Sequence, residues 1–236
     1  MHLSVAIAKI NKWATRQGGD TSEVIERPQG GLSVILSDGQ SSGPGAKAIS
    51  IWVVRKVVTE LAEGVRDGAA ARAANDTLHT LRDGKVSATL TILSVDLHSR
   101  SLVITRCGDP PVYVRTAAGA LRELADKSPP LGFHRHARPL VETLPLEPGL
   151  VACAFTDGLL HAGSRTGARL NIPEALEALW ATTPTAQALA DGLLARALAL
   201  DEQRPVDDTS VVVVQVAEGA GQGPRYLRLE MPVSDI

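Results

Sequence analysis

Aromatic side chains are nearly missing from this chain: two Phe, two Tyr and three Trp make up 3% of its 236 residues. So few rings exclude a stacking platform for single-stranded nucleic acid and leave the core to Val, Leu, Ile and Ala. Cysteine is equally scarce, with only Cys107 and Cys153. Both sit in apolar stretches, and two are too few for a disulfide framework in a secreted chain of this size, so a reducing, cytoplasmic compartment is expected. No run approaches the ~20 apolar residues of a membrane span, and residues 1–9 lack the basic region, long apolar stretch and cleavage site of a secretory signal. An excess of one charge is also missing: 24 basic against 26 acidic residues give −2, with no pull toward nucleic acid or an anionic membrane. Neither a Gly-x-Ser-x-Gly elbow nor a Gly-x-x-x-x-Gly-Lys loop occurs, and neither Cys has a His close in sequence, which argues against a protein nucleophile and a nucleotide cradle.

What is present reads as one domain, because the length suits a single core and no linker or internal repeat interrupts it. The domain is expected over residues 1–218, followed by a tail at 219–236 that contains a short edge strand from Tyr226 to Met231. Short β-branched runs predict strands at residues 2–10, 31–36, 88–96, 101–107, 111–115, 120–124, 138–144, 150–155 and 209–216, with a shorter β-like run at 22–26. Apolar residues at three- and four-residue steps, Ala46, Ile49, Val53, Val57 and Leu61, predict a helix with Pro44 just inside its start and Gly64 just past its end. Further helices are predicted over residues 66–81, 173–180 and 185–200. Strands and helices come in blocks rather than strict alternation, which favours an α+β sandwich of antiparallel sheets covered by helices over a doubly wound parallel sheet.

Aspartates recur at the ends of these strands. Asp38 follows the run to Leu36, Asp157 follows the run to Phe155, Asp207 precedes the valine run, and Asp20 precedes the run at 22–26. In antiparallel sheets, where strand ends alternate with strand beginnings, such carboxylates can share one rim. Crowded together they would repel and raise one another's pKa unless cations intervened, and all-oxygen ligands suit Mg²⁺ or Mn²⁺ better than Zn²⁺. The glycines after Asp38 and Asp157 let the backbone turn sharply and let a carbonyl approach a metal. Each Asp-Gly pair alone is an ordinary turn. Asp208 stands beside the ligand position and is a weaker candidate.

In this order and at these separations, Gly18-Gly19-Asp20, Ser37-Asp38-Gly39 with its helix entry at Gly43, Cys107-Gly108-Asp109, Pro130-Leu131-Gly132, Phe155-Thr156-Asp157-Gly158 and Asp207-Asp208-Thr209-Ser210-Val211 resemble the metal-dependent Ser/Thr phosphatases of the PPM, or protein phosphatase 2C-like, superfamily. The closest type is the bacterial sporulation stage II protein E branch, and within it the short stressosome feedback phosphatases. The resemblance implies a four-layer α-β-β-α sandwich and two Mn²⁺ or Mg²⁺ ions. It implies hydrolysis of phosphoserine or phosphothreonine on a regulatory protein of STAS-domain or stressosome type, by a monomer or weak dimer. Carried over by motif, Asp38 bridges both ions, the Gly39 carbonyl ligates one, Asp157 and Asp207 hold the other, and Asp20 acts through water. Departures are Thr21-Ser22 in place of bulkier residues, Ser41 where glycine is common, and no acidic residue in Leu159-Leu160-His161-Ala162.

Arg16 stands near the position of a phosphate-binding arginine but out of register, and His161, three residues after Gly158, is a candidate proton donor; both are noted as substrate-binding residues. His134 and His136, flanked by Arg135 and Arg138, read as an exposed connection, and Asp109 as a turn residue. Trp52, Trp180 and Tyr113 read as packing residues in the core or half-buried. Two other functions compete: a catalytically idle phosphatase-like binding module, which would be expected to lose a ligand aspartate, and a metal-dependent hydrolase of a small phosphoester.

Overall fold

A computed structural model describes residues 1–182, 185–219 and 223–232. In chain order it contains β1 (His2–Ile10), β2 (Thr21–Glu26), β3 (Gly31–Ser37), α1 (Gly43–Ala62), α2 (Asp67–Arg82), β4 (Leu90–Asp96), β5 (Ser101–Cys107), β6 (Val112–Arg115) and β7 (Leu121–Leu124). Then follow β8 (Leu140–Pro145), β9 (Val151–Phe155), α3 (Asp157–His161), α4 (Ile172–Thr182), α5 (Ala186–Leu200) and β10 (Thr209–Ala217). The strands form two five-stranded sheets, ordered β1-β10-β9-β6-β7 and β2-β3-β4-β5-β8, with every strand pair antiparallel.

Side-chain alternation sorts the apolar residues into three cores. On β10, Val211 and Val213 face α4 and α5 beside Leu176, Leu189 and Leu193. Val212, Val214 and Val216 face the opposite way, between the sheets, where they meet Val34, Leu36, Leu93 and Ile104 of the second sheet. The other faces of β3 and β4 send Ile35, Leu90 and Ile92 under α1 and α2, against Val53, Val57, Leu61 and Leu78. A strand buried on both faces needs a continuous apolar run, which is what the valines of β10 supply. The layers are therefore helices, sheet, sheet, helices, the α-β-β-α sandwich expected.

Helix α1 begins with proline in its first turn and ends ahead of Gly64, which holds a φ of +81°. Helix α2 buries Ala70, Ala71, Ala74 and Leu78; its small residues let it lie close to α1 and the sheet. Its start is fixed by Arg27, whose guanidinium donates to Asp67 Oδ1 at 2.6 Å and to the Val65 carbonyl at 3.2 Å. That pair is well shielded, with side chains 14% and 5% exposed.

Three features depart from expectation. The short helix α3 was not foreseen, because five residues are too few to display a helical period. Trp52 is 40% exposed and lines an open groove with Ile49, Leu78 and Leu81, whereas Tyr113 is buried as expected. The edge strand expected from Tyr226 to Met231 is not among the elements: Tyr226, Leu227, Leu229 and Met231 are 75–91% exposed, and the segment is tied by Arg225 Nη1 to Glu26 Oε2 at 2.9 Å.

Removing one partner of a shielded ion pair strands the other. Asp67→Ala is expected to lower unfolding free energy by roughly 3–5 kcal/mol, measured by urea denaturation. Lys56→Gln, which breaks the more exposed Lys56–Glu60 pair, is expected to cost under about 1 kcal/mol. Equal effects would show that the Arg27–Asp67 link does not organise the start of α2.

Candidate active site and metal centre

The strand register brings the four aspartates to one rim. Thr21 pairs with Ser37, so Asp20 and Asp38, each one residue outside its strand, flank the same end of the second sheet. Val211 pairs with Phe155, so Asp207 and Asp157 lie at the corresponding end of the first sheet. Hydrogen bonds then join the two ends across the sandwich: Asp20 Oδ2 accepts from Thr156 Oγ1 at 2.8 Å and from Ser210 Oγ at 2.7 Å. Thr156 also accepts from the Ser210 amide at 2.9 Å, which locks β9 to β10 beside the site. These bonds use the Thr156 hydroxyl, and it does not cap α3, whose first residue is Asp157.

Asp38 occupies the middle of the cluster, within hydrogen-bonding reach of both Asp20 and Asp157. Burial and then the charges of Asp20, Asp157 and Asp207 push the Asp38 carboxyl from 3.8 to about 9. Burial also raises Asp20, against the hydrogen bonds from Ser210 and Thr156. Asp157 is raised chiefly by burial, with His161 acting the other way. Asp157, His161 and Asp207 each offer a donor atom within 4.8 Å of the others, and His161 Nδ1 stands 3.9 Å from Asp207 Oδ2.

A divalent cation fits this donor set. Asp20 is 3% exposed, yet its Oδ1 is buried without a hydrogen-bond partner, a costly condition for a carboxylate oxygen unless a cation takes the free lone pairs. Gly39 lies between Asp38 and Gln40, whose carbonyl and amide pair with Thr89 and Ser87 at 2.9 Å each. That ladder leaves the Gly39 carbonyl unused among the described residues. A Cβ at Gly39 would stand 2.1 Å from the Ala46 carbonyl oxygen, and one at Gly158 would stand 2.1 Å from that of Asp208. Only glycine permits the two Asp-Gly turns to pack this closely on α1 and β10.

The loop carrying Asp20 is held by groups that sequence reasoning undervalued. Asp208, 4% exposed, accepts from the Lys12 amide at 2.8 Å and from the Gly19 amide at 2.6 Å. Its role is to clamp both ends of the β1–β2 connection, and the doubled aspartate of Asp207-Asp208 gave no sign of that division. Lys9 and Lys47 both donate to the Asp20 carbonyl, and Lys47 also donates to Thr21 Oγ1 at 3.0 Å. Ser50 donates to the Gly19 carbonyl. The partners Thr156 and Ser210 lay inside the recognised motifs, but their hydroxyls could be assigned only once β9 and β10 were seen side by side.

Arg16 is exposed on the loop after β1, and no hydrogen bond or ion pair among the described residues joins it to the aspartates. Asp109 is exposed and paired with Lys127 at 3.5 Å, while His134 and His136 lie on an exposed connection, all as read from the sequence. Ser41 holds a φ of +79°, which explains why glycine suits that position.

A profile for Stage II sporulation protein E (SpoIIE) matches residues 28–217. The chain belongs to the SpoIIE family. The matched range contains Asp38, Asp157 and Asp207 but begins after Asp20, so Asp20 joins the set on geometry. The fold is similar to that of the PP2C phosphatase domain and regulatory-domain fragment of SpoIIE from Bacillus subtilis (TM-score 0.75, 20% identity), over 92% of this chain and 64% of that one. It is also similar to RsbX in complex with magnesium (TM-score 0.70, 17% identity), over 92% of this chain and 96% of RsbX. The serine/threonine phosphatase PstP/Ppp from Mycobacterium tuberculosis is a third relative in fold (TM-score 0.72, 18% identity), covered over 92% and 99%. No curated protein sequence matches significantly. No helix among the described residues is long and apolar enough to cross a membrane.

The raised carboxyls fix the sign of a pH dependence. A carboxyl that binds its proton more tightly when folded favours folding most below its unfolded pKa, and stability falls as pH rises from 3.8 toward about 9. In a chelator, the melting temperature is therefore expected to fall between about pH 5 and about pH 8. Saturating Mn²⁺ or Mg²⁺ should raise it more at the upper pH, and Asp38→Asn should flatten the slope and blunt the metal response. A metal-free melting temperature that rises over this range would contradict the arrangement.

Proposed function

We propose that this chain hydrolyses phosphoserine or phosphothreonine on a bacterial signalling protein with the help of two Mn²⁺ or Mg²⁺ ions. The observation that carries the reading is the convergence of Asp20, Asp38, Asp157 and Asp207 on one half-buried rim, with Asp38 at its centre and Asp20 Oδ1 unpartnered. Asp38 would contact both ions, the Gly39 carbonyl one of them, and Asp157 with Asp207 the other, while Asp20 takes its place at the rim through Oδ1. When bound, such ions supply charge stabilisation to phosphoryl oxygens and bring the pKa of a water toward neutrality.

The remaining work falls to the protein. Thr156 and Ser210 hold the Asp20 carboxylate in one orientation, and Lys9 and Lys47 fix its backbone, so the ligand set is preorganised rather than assembled on binding. His161 stands at the mouth with its side chain 54% exposed and Asp207 at 3.9 Å. There it can carry a proton to the serine or threonine oxygen as the P–O bond breaks and the oxygen of water becomes the fourth phosphate oxygen. Neither cysteine is suited to act as a nucleophile: Cys107 and Cys153 are buried, and burial pushes both thiols up to about 12.

A regulator of STAS-domain or stressosome type is the substrate we favour, on the family membership and the likeness to RsbX. An idle binding module is disfavoured because every acidic ligand position of the motif set is filled. Manganese-dependent hydrolysis of an aryl phosphate is expected from the wild type, abolished by chelation. Asp38→Asn and Asp157→Asn should each reduce the rate at least about 10²-fold. Full activity in both variants, or activity indifferent to chelation, would overturn the assignment.

A further inference from the structure

Beside the rim stands a surface that the chemistry above does not use. We propose that Lys12, Trp13, Arg16 and Arg204 form a lip that grips the polypeptide flanking the phosphorylated residue and selects segments rich in Asp and Glu. The inference rests on the phosphatase reading and adds a specificity to it.

Trp13 is one of three tryptophans in the chain and is 58% exposed. Its surroundings hold it still. The Trp13 amide donates to the Pro205 carbonyl at 2.9 Å, and the Arg204 guanidinium lies over the indole at 5.6 Å from its centroid. The turn is closed by Thr15, which returns its amide to the Lys12 carbonyl at 3.1 Å and its hydroxyl to the same oxygen at 2.6 Å. Ala14 between them holds a φ of +64°. A fixed, half-open indole offers a large contact area at little entropic cost, as side chains at recognition surfaces do.

The lip is also registered to the reacting centre. Asp208 accepts from the Lys12 amide through Oδ1 and from the Gly19 amide through Oδ2. One buried carboxylate therefore ties both ends of the β1–β2 connection, the turn at Trp13 and the approach to Asp20, to the start of β10, and the residue before it, Asp207, belongs to the cluster. Trp13 is bonded to Pro205, two residues from Asp207. A substrate with its phosphate at the rim, extending about 3.3–3.6 Å per residue, reaches this surface within a few positions of the phosphorylated one.

Charge names the partner. Lys12, Arg16 and Arg204 have no carboxylate in ion-pair contact among the described residues, while nearby Glu202 is engaged by Arg165 at 3.7 Å. The buried carboxylates draw instead on hydroxyls and amides, and Lys9 and Lys47 on the Asp20 carbonyl, so exposed Arg16 and Arg204 and partly exposed Lys12 are left without a carboxylate partner. Cations around an aromatic platform complement a polypeptide bearing carboxylates near its phosphate.

The test compares three substrates in Mn²⁺: an aryl phosphate, a phosphoserine peptide with Asp and Glu on both sides, and the same peptide with Lys and Arg there. The wild type should prefer the acidic over the basic peptide by about tenfold in kcat/KM, a preference reduced in high salt. Trp13→Ala and Arg204→Gln should each bring that ratio toward one by raising KM for the acidic peptide while kcat for it is retained, and Trp13→Phe should keep most of the preference. Variants that keep the wild-type ratio, or that lose kcat equally on all three substrates, would overturn the lip. A wild type that hydrolyses none of the three would overturn the phosphatase reading itself.

Discussion

Carboxylates do not gather at a half-buried rim unless something offsets their repulsion, and this constraint governs the rest of the structure. Asp20 and Asp38 come from one sheet, Asp157 and Asp207 from the other, and burial raises three of the four. The strand ends deliver them; the bonds from Thr156 and Ser210 to Asp20 keep the two sheets in the alignment that lets them meet. A buried carboxylate oxygen without a hydrogen-bond partner is costly, and Asp20 Oδ1 is one, at the edge where the other aspartates meet. Its presence there is understandable as a cost accepted for binding cations.

Much of this was legible in the sequence. The valine run of β10 and the three- and four-residue spacing of α1 announce their structures because each is repeated over enough residues to be unambiguous. Asp38-Gly39 and Asp157-Gly158 announced a site because both aspartates sit where a β-branched run stops. A segment too short to show a period was hidden: α3 has five residues, whereas β2, of six, still showed as a short β-like run at 22–26. The clamp made by Asp208 was hidden for another reason. It joins residues 189 and 196 positions apart in the chain, and no local pattern distinguishes such a carboxylate from a metal ligand. Trp52 was misplaced because its helical position lies at the margin of the buried stripe, where periodicity does not decide between core and groove.

The architecture divides labour between rigid and variable parts. The proposed metal ligands sit at the termini of strands and one helix, held by paired backbone and by glycines whose neighbours leave no room for a side chain. The surface proposed to read the substrate sits on two loops, before β2 and before β10, where sequence can change without disturbing the sheets. Asp208 connects the two, so the proposed recognition surface and the aspartate rim keep a fixed separation.

Anomalous diffraction from crystals soaked in Mn²⁺ tests the central claim most directly. Two peaks are expected within coordination distance of the Asp38 carboxylate, one also touching the Gly39 carbonyl and the other also touching Asp157 and Asp207. Absence of ordered Mn²⁺ from this rim at millimolar metal, or peaks confined to other acidic surfaces, would contradict the account.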